Sequence, residues 1–436
     1  MNNSTLYVSQ NGRFLQLQSG TPFFYLADTA WELLHRLTAE EVEYYFDIRQ
    51  QQGFNVVQTV LISELDGLRI PNATGQLPFS GMDPAKPNPG YFDFVEKILR
   101  IAAGKGLYLA MVPVWGDKID RLFGIGPEIF NELNAFNYGQ WLGKRFCKVS
   151  NIIWMNGGDR SGGGRNYAVW NALGKGIKSE DPNHLMTFHP PGDTSSSMWF
   201  HDAPWLDFNS CQSGHSMRNY PNHVLVTYDY LRVPCKPCID AEPRYEEHAV
   251  NWKPEQNGVF DDYDVRQAAY WSVFAGASGH TYGAHPVWQM YDRQREPIGF
   301  VRYTWKEALN LKGASQLIHL KNLMLSRPYF DRIPDQSPLM SPKVGDEHIR
   351  CTRGNHYLFC YLPSGGEVEL NLTGIPWERS TACWFDPRTG EQFSAGLYNS
   401  ADSLVLTAPS QGRGCDWVLV LDDVTAEYDK PGALLY

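Results

Sequence analysis

A chain of 436 residues with a hydrophobic fraction of 43% is too long for one ordinary core and implies one large domain plus a smaller one. Its net charge of -10, with no basic run, argues against nucleic acid, whose phosphates demand a basic surface. No stretch approaches the roughly 18 apolar residues that cross a bilayer, so no membrane partner is expected.

The amino terminus has neither a positive start nor an apolar core and does not read as a signal peptide. The expected location is the cytoplasm, or the periplasm or exterior where a leader has been removed. Apolar runs then follow at 23–28, 55–61, 106–115, 151–158, 184–190, 206–212, 236–242 and 277–283. Continuous runs of this length fit strands buried on both faces, as in a parallel sheet. Helical segments lie between them. Residues 38–53 open on a capping box, Thr38 with Glu41, and close at Gly53. Residues 91–106 carry apolar side chains at helical spacing, and 264–277 repeat the pattern before the eighth strand. Eight strands, each followed by a helix or long loop, predict an α/β fold, a (β/α)8 TIM barrel over residues 1–335. A doubly wound open sheet is the alternative, but no glycine-rich dinucleotide fingerprint follows the first strand. Residues 327–347 are punctuated by proline and read as a connection. Short alternating runs at 357–363, 367–372, 381–391, 403–409 and 416–423 predict a C-terminal all-β sandwich domain over 345–436. Eight cysteines make no disulfide framework in a chain of this size, and the Cys235-x-x-Cys238 pair reads as structural.

In such a barrel, residues at the carboxyl ends of the strands face the active site. The expected strand ends supply Asp28 and Trp31, Glu64, Trp115 and Asp117, Asn156 and Asp159, His189, Gln212 and His215, Glu242 and Tyr282. Carboxylates and amides are interleaved with aromatic rings, and Trp288 adds another. The chain as a whole holds 14 Trp and 23 Tyr, a surplus that suits a wet cleft stacking flat ligands such as sugars. There is no phosphate-cradling loop and no Gly-x-Ser-x-Gly elbow.

Asp159 ends the fourth strand and Glu242 the seventh, positions across the barrel mouth from each other. Paired carboxylates of split role are what glycosidic cleavage needs. One, neutral, protonates the leaving oxygen; the other, ionised, attacks the anomeric carbon or activates water. Asp159 must then hold a proton near neutrality, which burial and the Glu242 charge would supply. Glycines at 157, 158 and 162–164 are expected to leave room for a sugar beside it. Asp28, Trp31, Trp115, Asp117, Asn156, His189, Gln212, His215, Tyr282 and Trp288 are the expected substrate-binding set.

Structural readings stand beside these. Asp159 could form a turn or cap a helix, Glu242 could pair with Arg244, and the tryptophans could pack the rim. The histidines at 189, 215, 280 and 285 lack a His-Glu-x-x-His spacing, so no metal and no cofactor is expected. A carbohydrate-binding protein without catalysis and a metal-dependent hydrolase are the alternatives from other classes.

The stretches at 23–58, 151–160 ("NIIWMNGGDR"), 237–246 ("PCIDAEPRYE") and 383–391 ("CWFDPRTGE") together resemble the apiosidase-like glycoside hydrolases, glycoside hydrolase family 140, over nearly the whole chain. The resemblance implies a (β/α)8 catalytic domain and a β-sandwich that carries a collagen-binding label, here expected to brace the barrel. It implies an oligosaccharide or polysaccharide substrate, with hydrolysis of glycosidic bonds in plant cell-wall glycans such as the apiose-linked side chains of rhamnogalacturonan II. The catalytic Asp after Gly-Gly maps onto Asp159, and the catalytic Glu of the Ala-Glu-Pro motif onto Glu242. By analogy with related barrels, Asp159 would be the general acid/base and Glu242 the nucleophile of a retaining enzyme. Better-known retaining barrels place Asn-Glu at the fourth strand, so the shorter Asp159 bears on the choice between retention and inversion. Substrate choice is expected to lie in the loops 65–89 and 251–262; oligomeric state is left open.

Overall fold

The computed structural model describes residues 5–400 and 403–436; the first four residues of the amino terminus read above lie outside them. Eight parallel strands form the barrel: β1 (Tyr25–Thr29), β2 (Val56–Val60), β3 (Tyr108–Val112), β4 (Ile152–Gly157), β5 (Met186–His189), β6 (Asn209–Gln212), β7 (Cys238–Asp240) and β8 (Gly279–Tyr282). They run in the order β5-β4-β3-β2-β1-β8-β7-β6. The cylinder closes between β5 and β6. There the Asp207 amide donates to the Met186 carbonyl, the Thr187 hydroxyl to the Phe208 carbonyl and the Ser210 hydroxyl to the Phe188 carbonyl.

Every residue of the eight strands is buried, and alternation sorts them into two cores. Tyr25, Ala27, Tyr108, Ala110, Ile153, Met155 and Ile239 fill the barrel interior. Their neighbours Leu26, Leu109, Met111, Ile152 and Trp154 face outward under the helices. Both faces are dry, so each strand reads as a continuous apolar run. An antiparallel meander, Leu6–Val8, Leu15–Leu17 and Pro22–Phe23, contributes Leu6, Leu15 and Phe23 to the interior cluster. The outer helices begin where their caps place them. Thr38 and Glu41 cap Ala39–Gln51 reciprocally, Asn88 caps Pro89–Gly104, and Asp261 with Asp264 caps Asp262–Phe274.

The C-terminal region holds a six-stranded antiparallel sheet, in the order 333–334, 350–353, 357–362, 417–423, 379–385, 392–399, facing a two-stranded sheet of 365–371 with 403–411. Leu358, Cys360, Leu362, Leu419 and Leu421 point between the sheets. Tyr357, Phe359, Tyr361, Val418 and Val420 point the other way and merge with the barrel's outer core. They meet the helix Asp262–Phe274, which is buried from Tyr263 to Phe274, and Tyr270 stacks on Tyr361 with centroids 4.7 Å apart. Buried ion pairs stitch the contact: Arg266 to Asp416 at 2.8 Å and Arg327 to Asp422 at 2.7 Å.

Two sandwich strands carry no sequence signal. Gln392–Asn399 is an edge strand half-exposed to solvent on both faces, so it has no apolar alternation. Arg350–Arg353 has polar side chains at three of its four positions. The stretch read as a connection already begins the sheet, with Ile333–Pro334 pairing to Thr352 and Arg353. Cys235 is exposed and Cys238 buried at the start of β7.

Candidate active site

A cavity of about 770 Å³ opens at the carboxyl ends of the strands, lined by Trp31, Trp115, Asp159, Gln212, His215, Glu242 and Trp288 among others. The polypeptide reaches Asp159 through three consecutive left-handed residues: Gly157 at φ 90°, Gly158 at φ 137° and Asp159 at φ 63°. Of the five glycines at 157, 158 and 162–164, Gly164 alone stands in open space; the other four do not clear room for a ligand. A Cβ on Gly157 would lie 2.3 Å from the His189 carbonyl oxygen, and one on Gly158 would meet the backbone of Trp115 and Gly116. Gly162 and Gly163 are likewise filled by Trp199 and Phe200. The glycines let the chain squeeze between the ends of β3 and β5 and bring Asp159 into the mouth. Hydrogen bonds lock that crossing, Gly158 N to His189 O at 3.1 Å and Gly116 N to Gly158 O at 2.9 Å.

Glu242 follows β7 by two residues. His215 Nε2 lies 3.0 Å from its Oε1, and the fully buried His189 places Nε2 3.0 Å from Oε2. The Tyr245 hydroxyl faces the same carboxylate. Arg244, the alternative partner weighed for Glu242, instead donates to Gln267 Oε1 at 2.9 Å; Gln267 donates onward to the Asp346 carbonyl at 3.0 Å. Burial alone would raise the Glu242 carboxyl, but the His215 hydrogen bond and the two close imidazoles outweigh it and hold it down at about 2. Asp159 moves the other way. Burial, then the Glu242 charge, push it up to about 6, against the pull of His189, Arg160 and a Gln212 hydrogen bond. One cavity thus holds one carboxyl that keeps a proton more readily and one that sheds it.

Trp31, Trp115 and His189 pack ring against ring beneath the two acids, Trp31 at 5.2 Å from both others. His189 supports Glu242 from below the cavity lining. Four expected residues lie elsewhere. Asp28 is bound to Arg49 at 2.6 Å and to the Tyr45 hydroxyl. Asn156 donates to the Trp170 carbonyl at 2.8 Å and accepts from Gly157 N. Tyr282 donates to Glu246 at 2.7 Å. All three stand on the outward parity of their strands, in step with Leu26 and Trp154, and point under the helices rather than into the barrel. Asp117 pairs with Lys118 at 2.6 Å and accepts from the amides of Ile125 and Gly126. It therefore folds the loop that puts Phe123, Gly124 and Ile125 on the cavity wall.

That wall was not anticipated, nor were Tyr245 and His248. Of the expected specificity loops, only Leu65 from 65–89 and Asn251 and Trp252 from 251–262 line the cavity. Trp252, half exposed at a left-handed φ of 60°, sets its ring edge on His248 at 4.4 Å. The sequence signal for these residues is the long stretch without regular structure after β7, where "PRYEEHAVNW" (243–252) carries polar aromatics straight from the Glu242 strand end. Of the other two expected histidines, His280 bonds to the Ser272 hydroxyl, whereas His285 bonds to the Ile298 carbonyl and packs on His248 at 4.5 Å, which in turn stacks on His215 at 4.3 Å. Among the described residues no group of three or more His, Cys, Asp or Glu side chains is arranged to hold a metal ion.

Comparison with known proteins places this geometry. Residues 9–331 match the family described as "Apiosidase-like, catalytic domain", and residues 333–422 the one described as "Putative collagen-binding domain of a collagenase". Similar solved structures include one described as "Glycoside hydrolase", 36% identical over 98% of each chain with a TM-score of 0.91. Another is a glycoside hydrolase family 5 protein from Bacteroides vulgatus ATCC 8482, 34% identical over 99% of this chain and 96% of that one, also at 0.91. No curated protein matches the chain.

Proposed function

The chain belongs to the apiosidase-like catalytic family and is a glycoside hydrolase; from that premise we propose that it releases a side-chain sugar, apiose first among candidates, from plant cell-wall glycans, as glycoside hydrolase family 140 does. Asp159 is the general acid/base and Glu242 the nucleophile. The observation that carries this reading is the placing of two carboxyls in one cavity with unlike partners: Glu242 lies 3.0 Å from each of two imidazoles, and Asp159 is buried beside it. In the first step Asp159 gives its proton to the leaving oxygen while Glu242 attacks the anomeric carbon, forming a glycosyl ester and freeing the aglycone. In the second, Asp159 takes a proton from water as that water displaces Glu242, and the sugar leaves with its configuration retained.

Trp31, Trp115 and Trp288 offer ring surface to the sugar, and Gln212 and His215 polar atoms. A panel of aryl apiosides, arabinosides and rhamnosides tests the reading, with NMR on the first-formed anomer. Glu242→Gln should lower kcat by about a thousandfold or more. Near-normal turnover in that variant would defeat the nucleophile assignment, and an inverted first product would make Glu242 a base that activates water.

A further inference from the structure

A third carboxyl lines the same cavity, Glu64, four residues beyond the end of β2. Resting on the glycosidase reading above, we infer that Glu64 is a substrate-binding acid whose carboxylic O–H donates a hydrogen bond to a hydroxyl oxygen of an uncharged sugar.

The partners of its neighbours set Glu64 apart. Asp117 has Lys118 and two backbone amides. Glu32 has His35 at 2.8 Å, Arg36 at 3.6 Å and the Leu65 amide. Glu242 has two imidazoles and Asp159 has Gln212. Among the described residues, the Glu64 carboxyl makes no hydrogen bond and no ion pair. The guanidinium that acts on it, Arg160, is committed to the carbonyls of Asp120, Asp159 and Phe123 and lies on the Phe123 ring at 3.7 Å.

A carboxyl so placed does better neutral than charged. It faces Asp159 from the loop after β4, Asp117 with Lys118 from the loop after β3, Glu32 with His35 and Arg36 from the segment after β1, and Arg160; Glu242 and His215 share the cavity. Burial, then the charges of Asp159, Asp117 and Glu32, push Glu64 up to about 8, and Arg160 offsets only part of this. At neutral pH it carries a hydroxyl that no protein group uses, and a ligand oxygen is the partner left to take it. An anionic sugar is ill served here. Three acids line the cavity, and among the described residues no lysine or arginine does, so a uronate would meet more like charge than a neutral sugar does.

The test is steady-state kinetics from pH 6 to 9. The substrate is whichever neutral 2,4-dinitrophenyl glycoside of the panel is turned over, since that leaving group needs little help from Asp159. Wild-type KM should rise about tenfold between pH 7 and 9 as Glu64 loses its proton. Glu64→Gln, which still donates but cannot ionise, should raise KM by no more than about threefold at pH 7 and abolish the alkaline rise. Glu64→Ala should hold KM about tenfold or more above the wild-type value at pH 7, with no further alkaline rise. A flat wild-type KM, a Gln variant as impaired as Ala, or an Ala variant with wild-type KM would each overturn the inference. So would turnover of the matching glucuronide as fast as the neutral substrate. Should the Ala variant not fold, the pH dependence of the Gln variant decides. Glu242→Gln run alongside separates the two readings: its full activity sinks the catalytic assignment, whereas its loss beside an unaltered Glu64→Ala sinks only this one.

Discussion

At Asp159 the backbone is left-handed, a region where Asp and Asn are enriched several-fold over other side chains because a short polar chain can bond locally there. That suits an Asp better than a Glu to this position. The turn that brings the residue into the mouth is one that Glu adopts at a cost of about 1 kcal/mol or more. Two predictions belong at this scale. On the proposed mechanism, activity requires Asp159 protonated and Glu242 ionised. With Asp159 at about 6 and Glu242 at about 2, kcat/KM should be level between those values, fall as pH rises through about 6, and fall on the acid side only as pH approaches about 2. Asp159→Asn should erase the fall through about 6 and leave the later one that belongs to Glu64. It should also lower kcat/KM, which reports the first step, by about a thousandfold on a methyl glycoside but by less than about tenfold on a 2,4-dinitrophenyl glycoside; equal losses on both substrates would remove Asp159 from the acid role.

Among the elements, alternation along each strand decides which side chains reach the cavity. The barrel was legible because both faces of every strand are dry, and the capping box at Thr38 was legible because its partners are local in sequence. Asp28, Asn156 and Tyr282 were misplaced because a strand end supplies both inward and outward side chains, and the outward ones bind helices. Their parity with Leu26 and Trp154 was available in the sequence as a sorting signal. The glycine crossing was less so, since the atoms that fill it, His189 O and the Trp115 backbone, are remote in sequence. Two substitutions test these placements. Asp28→Ala strands a buried Arg49 and should cost about 3–5 kcal/mol of stability, while kcat/KM of the folded enzyme stays within about threefold. Gly157→Ala sets a methyl 2.3 Å from a carbonyl oxygen at a φ of 90° and should cost about 3 kcal/mol. Gly164→Ala, with open space at φ 59°, should cost about 1 kcal/mol. Equal melting temperatures for the two glycine variants would refute the close-packing account.

Over the whole molecule, the sandwich was legible from short alternating runs, but its attachment was not. The residues that join it to the barrel, such as Tyr361 and Tyr270 or Arg266 and Asp416, lie in elements far apart in the chain. Because one face of the six-stranded sheet completes the barrel's outer core, the two parts should melt as one unit. Calorimetry is expected to show a single transition with equal calorimetric and van't Hoff enthalpies. Arg266→Ala leaves Asp416 buried without its partner and should destabilise that whole transition by about 3–5 kcal/mol; two resolved peaks would show independent units.

The hydrogen-bonded path from Arg244 through Gln267 to the Asp346 carbonyl bears on how such enzymes are recombined. It begins two positions past Glu242 and ends at Asp346, between the first two strands of the six-stranded sheet, so the apparent seam near residue 333 is not a clean splice point. A chimaera that grafts a relative's sandwich onto this barrel keeps its catalytic power only if the donor also supplies the anchor for Gln267, and modular exchange should be planned around that tether.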